Sequence, residues 1–235
     1  MSGVAGKVVV VAGASSGMGR ATALAAAREG ADVVLAGRNA AALDEVAASS
    51  GGLAVPTDAT DPEAVGRLVA RALDRFGRID ALVNAVGTNL RQRSLGQLTA
   101  QSWAMMIEAN LTAAFNLTRA VVPPMREHGD GLIVHIASVA ARRPDMSGVS
   151  YQASKAGVAA LAHATMEEER QNGIRVTALL PGFTDTPLVL QRPTPPDPAM
   201  LARALKPEDI AETCLFLLRL PARAHVAELV LVPSR

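Results

Sequence analysis

The sequence predicts an α/β fold, a doubly wound, mostly parallel sheet of seven strands with helices on both faces. Three observations point there. Short apolar runs alternate with helical patterns along most of the 235 residues, and such alternation builds a parallel sheet covered by helices. A glycine-rich turn, GASSGMG at 13–19, joins the first apolar run to the first helix. No internal repeat or long hinge interrupts the pattern, and the length suits one domain, 1–235, with a full core.

Residues 7–12 read as the first strand, and the helix after the glycine turn runs through Arg28. DVVLA at 32–36 is the second strand, followed by an alanine-rich helix over 39–49. The third strand, 53–57, leads to a helix ending at Phe76, with Asp61 as its cap and Pro62 at its first position. IDALVN at 79–84 is the fourth strand, and a long helical region starts at Thr99 or Ser102 and reaches about His128. LIVHIA at 132–137 is the fifth, and a helix over 150–172 ends at Gly173. IRVTALL at 174–180 is the sixth, broken by Pro181-Gly182; a helix over 207–220 and a strand at 226–232 complete the order. One segment, 184–206, is irregular and polar, because prolines 187, 193, 195, 196 and 198 prevent a continuous helix. It follows the closing end of the sixth strand, so it reads as a lid over a site.

Composition removes several function classes. The net charge of +1, from 23 basic and 22 acidic residues, suggests neither a nucleic acid nor a membrane surface as partner. Aromatic content of 3% is too low for the stacking platforms of a single-strand binder. The four histidines are dispersed and lack companions at ligand spacing, so no metal site is read. Cys214 lies in an apolar helical pattern as a packed thiol; one cysteine excludes an internal disulfide and fits the cytoplasm. No apolar run approaches a membrane span, and Val8 to Ala12, between Lys7 and a glycine turn, reads as a strand rather than a leader.

The glycine turn is where a phosphate would sit. Gly13, Gly17 and Gly19 let the backbone turn tightly, and a helix N-terminus offers free N–H groups and a positive dipole to a pyrophosphate. The spacing is GxxxGxG rather than GxGxxG. Asp32 stands about twenty residues on, where an acid holds ribose hydroxyls, but it opens its strand while ligands bind where strands close. At the closing end stand Gly37, Arg38 and Asn39, and Arg38 suits a 2′-phosphate.

Tyr151 and Lys155 lie four residues apart, one turn on one face of a helix. An ammonium beside a phenol favours phenolate, so the tyrosine is expected to titrate well below 10 and to exchange a proton with an alcohol or carbonyl oxygen. Ser138 follows the fifth strand at its C-terminal end, the edge at which open α/β sheets bind ligands.

Together with Asn84, Asn110 and Pro181-Gly182, these residues resemble the short-chain dehydrogenase/reductase family over nearly the full length. The resemblance implies a Rossmann-type fold, a nicotinamide cofactor, and Ser138, Tyr151, Lys155 and Asn110 as the catalytic set, with Asn110 holding a water of the proton relay. It assigns the cofactor's contacts to the glycine turn (with Ser15, Ser16 and Met18), to Arg38, and to Asp58 with Ala59 after the third strand. Asn84, Ala85, Val86 and Gly87, standing where the family has NNAG, also belong, as do Tyr151, Lys155, Pro181, Gly182, Thr184 and Thr186. On this reading 1–100 is mainly the cofactor half and 101–235 the catalytic half. NADP(H) is preferred through Arg38, and NAD(H) stays possible.

Departures from the family pattern are Ala12, Ala85-Val86, Thr177 and a tail ending ELVLVPSR; they are expected to lose structural hydrogen bonds and the tail's subunit contacts. The expected reaction is hydride transfer between NADP(H) and a small carbonyl compound or secondary alcohol. A catalytically idle nucleotide-binding regulator on the same fold, and a dehydratase or epimerase, are the rival classes. Candidate substrate contacts are Ser138, Val139, Ala140, Phe183 and Leu188, with 90–94 (LRQRS) nearby. Arg91, Arg93, Arg142 and Arg143 either greet an acidic substrate or are solvated surface. Apolar excess on the helices from Ser102 and Ser150 suggests a homodimer or homotetramer.

Overall fold

Alternate residues of the first strand, β1 (Val8–Ala12), feed two separate cores. Val8, Val10 and Ala12 face one side of the sheet; Val9 and Val11 face the other, and all five are buried. A strand buried on both faces must be apolar throughout, which is why this one shows no period-two alternation. The computed structural model describes residues 3–234; Met1, Ser2 and Arg235, the last residue of the tail, lie outside it.

After β1 come α1 (Gly17–Arg28), β2 (Asp32–Gly37), α2 (Ala40–Ser50), β3 (Leu53–Pro56), α3 (Pro62–Phe76) and β4 (Ala81–Asn84). The second half holds α4 (Ala100–Ile107), α5 (Ala113–His128), β5 (Gly131–Ile136), α6 (Val149–Glu169), β6 (Ile174–Pro181), α7 (Pro198–Arg203), α8 (Pro207–Arg219) and β7 (Glu228–Leu231). All seven strands pair in parallel in the order β3-β2-β1-β4-β5-β6-β7. α1, α2 and α8 cover one face and α3, α5 and α6 the other. The strand order reverses between β1 and β4, and the crevice beyond that point is where such sheets take ligands.

Sequence signals start several helices as expected. Asn39 accepts a hydrogen bond from the Ala42 amide at 3.1 Å, and Asp61 accepts from Glu63 at 2.9 Å, with Pro62 at the first helical position.

Elsewhere the structure departs from the expected pattern. The long helical region from Thr99 is split by a π-turn, Glu108–Thr112, which carries Asn110. Part of the segment read as irregular is helical: Asp197 caps Met200 at 2.6 Å and Pro198 takes the first position of α7, where its missing N–H costs nothing. Thr177 was expected to lose a bond, yet its hydroxyl donates to the Val226 carbonyl at 2.7 Å and ties β6 to the chain entering β7. Cys214 is buried, and burial pushes its thiol up to about 12, consistent with a packing role. No helix among the described residues is long and apolar enough to cross a membrane.

Candidate active site

A cleft of about 530 Å³ opens at the C-terminal ends of β1, β2 and β4, running from Arg38 at one end to Tyr151 and Lys155 at the other. Close backbone packing shapes its floor. Gly13 has φ +81°, and a Cβ there would meet the Ala85 carbonyl carbon and oxygen at 2.9 Å. A Cβ on Gly19 would come within 2.2 Å of the Gly13 carbonyl oxygen, so α1 can seat on the turn only through glycine. The two loops flanking the reversal point thus touch backbone to backbone.

The N-terminus of α1 is left open. The first turn carries no acid and Ser16 makes no side-chain cap, whereas the first amides of α2 and α3 are answered by Asn39 and Asp61. Uncapped amides at the head of a helix, lining a cleft beside Gly13, Ser15, Gly17 and Met18, fit a pyrophosphate. At the cleft's far end the exposed Arg38 lies close enough to Asp58 to help hold its carboxyl below the ordinary range. Larger contributions come from the Thr60 amide and hydroxyl, which donate to Asp58 Oδ1 at 3.0 and 2.8 Å. Ser15 Oγ lies near Gly37, at the closing edge of β2. Open amides, the exposed Arg38 and the Ser15 hydroxyl fit the phosphate-bearing half of a dinucleotide.

At the other end the helix α6 presents Tyr151 and Lys155 from one face, 9% and 4% exposed. Lys155 Nζ donates to the Ile136 carbonyl at 3.0 Å and lies 5.9 Å from the centre of the Tyr151 ring. Burial draws the ammonium down from 10.5 to about 8. The expected lowering of the phenol is not what the geometry gives. Burial raises Tyr151 above its ordinary value, the Ser138 hydroxyl pulls it back, Asp145 pushes it up, and Arg93 and Arg192 oppose. Desolvation outweighs the nearby charges because both side chains share one dry wall.

The Asn110 side chain is engaged on every side by protein partners. Its Oδ1 accepts from the Thr88 amide at 2.8 Å, and Nδ2 donates to the Thr88 carbonyl and to Ser154 Oγ at 3.1 and 2.9 Å. The side chain therefore staples the loop after β4 to the π-turn. Irregular helix turns of this kind often mark functional positions. Lys155 Nζ and Asn110 Oδ1 face each other across Gly87: a Cβ added there would lie 3.0 and 3.5 Å from them.

Asn84 does not line the cleft but braces it from beneath. Its Oδ1 accepts from the Val86 amide at 3.0 Å, and its Nδ2 meets His135 Nδ1 at 3.0 Å. Thr118 Oγ1 sits 3.0 Å from His135 Nε2 and gives its own hydrogen to the Ala114 carbonyl. The proton of the ring is therefore on Nε2, and Nδ1 accepts from Asn84. Burial, aided by the Lys155 charge, pushes His135 from 6.5 to about 4, which keeps it neutral.

The cleft wall also takes in Ala59, Ala85, Val86, Gly87, Thr186 and Leu188, as the sequence suggested. Ser138, Asn110, Pro181, Gly182, Thr184, Ala140 and Phe183 lie outside its lining. Gly182 instead donates to the Leu231 carbonyl at 2.7 Å, so Pro181-Gly182 extends the pairing with β7. Ala140 packs with Tyr151, Met106 and Leu90 in a small apolar cluster. Phe183 stacks under the Arg192 guanidinium, 4.4 Å from its ring centre. Thr88, Gln191 and Arg192 were not singled out by sequence, because nothing local marks them. Gln191 Oε1 accepts from the Asn89 amide at 3.1 Å and Thr88 Oγ1 at 3.3 Å, joining the loops after β4 and β6.

With this geometry in place, comparison with known proteins is direct. A family model described as short chain dehydrogenase matches residues 7–196. A protein of Staphylococcus haemolyticus, known as an uncharacterized oxidoreductase, is 33% identical over 236 residues, covering 99% of this chain and 100% of its own. The crystal structure of a Brucella melitensis 3-ketoacyl-(acyl-carrier-protein) reductase complexed with NADH superposes with a TM-score of 0.90 at 30% identity, covering 99% of both chains. An alcohol dehydrogenase from the archaeon Thermococcus sibiricus, complexed with 5-hydroxy-NADP, gives 0.84 at 31% identity over 97% of both.

Proposed function

The chain belongs to the short-chain dehydrogenase family, and from that premise we propose that it is an NADP(H)-dependent oxidoreductase acting on a carbonyl compound or secondary alcohol. One observation carries the reading: Tyr151, hydrogen-bonded by the Ser138 hydroxyl, and Lys155 line one end of a cleft whose other end offers open helix amides and Arg38. The NADH and NADP-analogue complexes of the two structural relatives support a nicotinamide cofactor in that cleft.

When bound, the nicotinamide supplies or accepts the hydride. The protein's part is position and proton. The Tyr151 hydroxyl protonates the carbonyl oxygen during reduction, and the Ser138 hydroxyl hydrogen-bonds the same oxygen and orients it. A phenol held protonated by burial is an acid poised for the reductive direction. Lys155, with one hydrogen on the Ile136 carbonyl, has two left that would serve the cofactor ribose. Asn110 holds the Thr88 loop and faces Lys155 across Gly87, where a water would link Lys155 to solvent. At the other end Arg38, with Ser15, would hold the 2′-phosphate that marks NADP(H).

Trp103, Met105 and Phe115 on α4 and α5, and Val149 on α6, are large apolar side chains left exposed, which supports pairing of these helices in a homodimer or homotetramer. Light scattering giving a monomer at micromolar concentration would refute that. The decisive assay of the main reading is the loss of NADPH or NADH absorbance with a panel of ketones and aldehydes. Cofactor binding without any turnover would move the reading to a nucleotide-binding regulator.

A further inference from the structure

The four arginines left open by the sequence are sorted by the fold. Arg142 is neutralised by Glu228 at 2.7 Å, Arg143 is exposed, and Arg91 reaches over the surface to the Leu190 carbonyl at 3.2 Å. Arg93 is different. It is 7% exposed, and its backbone and Cβ pack where a Cβ on Gly148 would stand, at 2.6–2.7 Å, three residues before Tyr151 on the start of α6. Its Nε donates to the Leu90 carbonyl at 2.7 Å and its Nη2 to the Gln191 carbonyl at 2.6 Å. Among the described residues its Nη1 has no acceptor, and it is not sealed from solvent. Arg192 stands close by, its guanidinium on the Phe183 ring with only the Met200 sulfur, at 3.9 Å, as a hydrogen-bond partner.

Among the described residues neither guanidinium has a carboxylate within ion-pair distance. Both act electrostatically on Tyr151, Arg192 acts on Arg93, and the exposed Asp145 acts on Tyr151 and Arg93 in the opposite sense. Two like charges, one of them nearly desolvated and answered only by carbonyls, are costly to hold together. Beside them Tyr151 packs in an apolar cluster with Met106, Ala140 and Leu90. Tyr151 thus joins the cleft to an apolar cluster, with two cations nearby that no described carboxylate pairs.

We infer that the substrate is an oxo acid, its carbonyl at Tyr151 and Ser138 and its carboxylate held by Arg93 and Arg192. This rests on the oxidoreductase reading above and adds the substrate's class. A guanidinium fork matches a carboxylate, and the Nη1 left free on Arg93 gives the geometry one ready donor pair. The bland alternative is that Arg93 is only a clamp between the loops after β4 and β6.

The test compares acids with their methyl esters: pyruvate, acetoacetate and levulinate, which step the carbonyl away from the carboxylate one methylene at a time. At least one acid should exceed its ester in kcat/KM by about tenfold or more, as charged hydrogen bonds imply, and the excess should shrink at high salt. Arg93→Gln and Arg192→Gln should each cut that acid-over-ester ratio by about tenfold, while Arg93→Lys keeps part of it. Loop damage lowers acid and ester together and leaves the ratio alone, so a ratio unchanged in both variants overturns the inference. So does a wild-type protein that reduces the esters as well as the acids. Failure to reduce any carbonyl sinks the oxidoreductase reading instead. The anion site is then read by saturation-transfer NMR of hexanoate against methyl hexanoate, where equal binding of the two overturns it.

Discussion

Replacing His135 by asparagine tests the buried brace beneath the cleft through its proton. The imidazole is fully buried between Asn84 and Thr118, and burial holds its pKa at about 4 against 6.5 in the unfolded chain. The sign follows from which state binds more protons. Between pH 6.5 and 4 the unfolded chain takes a proton that the folded chain refuses, so stability is full above 6.5 and falls as pH drops through that window. The shift amounts to about 3 kcal/mol in all, and about 2.5 kcal/mol of it is lost by about pH 4.5. Asparagine keeps an acceptor for Asn84 Nδ2 but does not titrate. Urea unfolding at about pH 7.5 and about pH 4.5 should therefore show wild type losing about 2.5 kcal/mol more than His135→Asn between the two. Protonation of the folded protein removes the acceptor at Nδ1, so nicotinamide affinity in wild type should hold through that window and weaken only as pH falls to about 4. Parallel pH dependence in the two proteins would refute the reasoning.

Tyr151→Phe keeps the ring's packing but removes the proton donor; turnover should fall at least about hundredfold with cofactor affinity near wild type, measured by steady-state kinetics and fluorescence titration. Retention of a tenth of the activity, roughly, contradicts the assigned role. Lys155→Met removes a group whose folded pKa, about 8, lies below 10.5, so wild-type stability should rise with pH across that window and the variant's should not. Denaturant unfolding on either side of the window reads the slope, and nicotinamide affinity of the variant should also drop. Arg38→Ala should weaken NADPH by about tenfold, the lower end for a charged hydrogen bond because Arg38 is exposed, and spare NADH; calorimetry giving equal losses for both would count against the 2′-phosphate role.

The strand–helix alternation, the parallel order and the two-faced cores followed from local patterns. A continuous apolar strand such as Val8–Ala12 has no stable place except inside a covered sheet. The glycine turn and the Tyr151–Lys155 spacing were equally legible, because a φ above zero and a one-turn helical offset are written in a few adjacent residues. Even α7 had its signals, with Asp197 before Pro198, though neighbouring prolines masked them. What the sequence did not reveal depends on distant residues meeting. The balance of desolvation against charge that lifts Tyr151 is a property of the packed wall, not of YxxxK. Asn110 is tied to Thr88 and Ser154 across 22 and 44 residues, and a π-turn there has no local sign. Arg93 and Arg192, 99 positions apart by number, become one cationic rim only because the loops after β4 and β6 close on each other. Local chemistry fixes backbone geometry within a few bonds, whereas burial and field are sums over everything the chain brings near, and only the tertiary structure performs that sum.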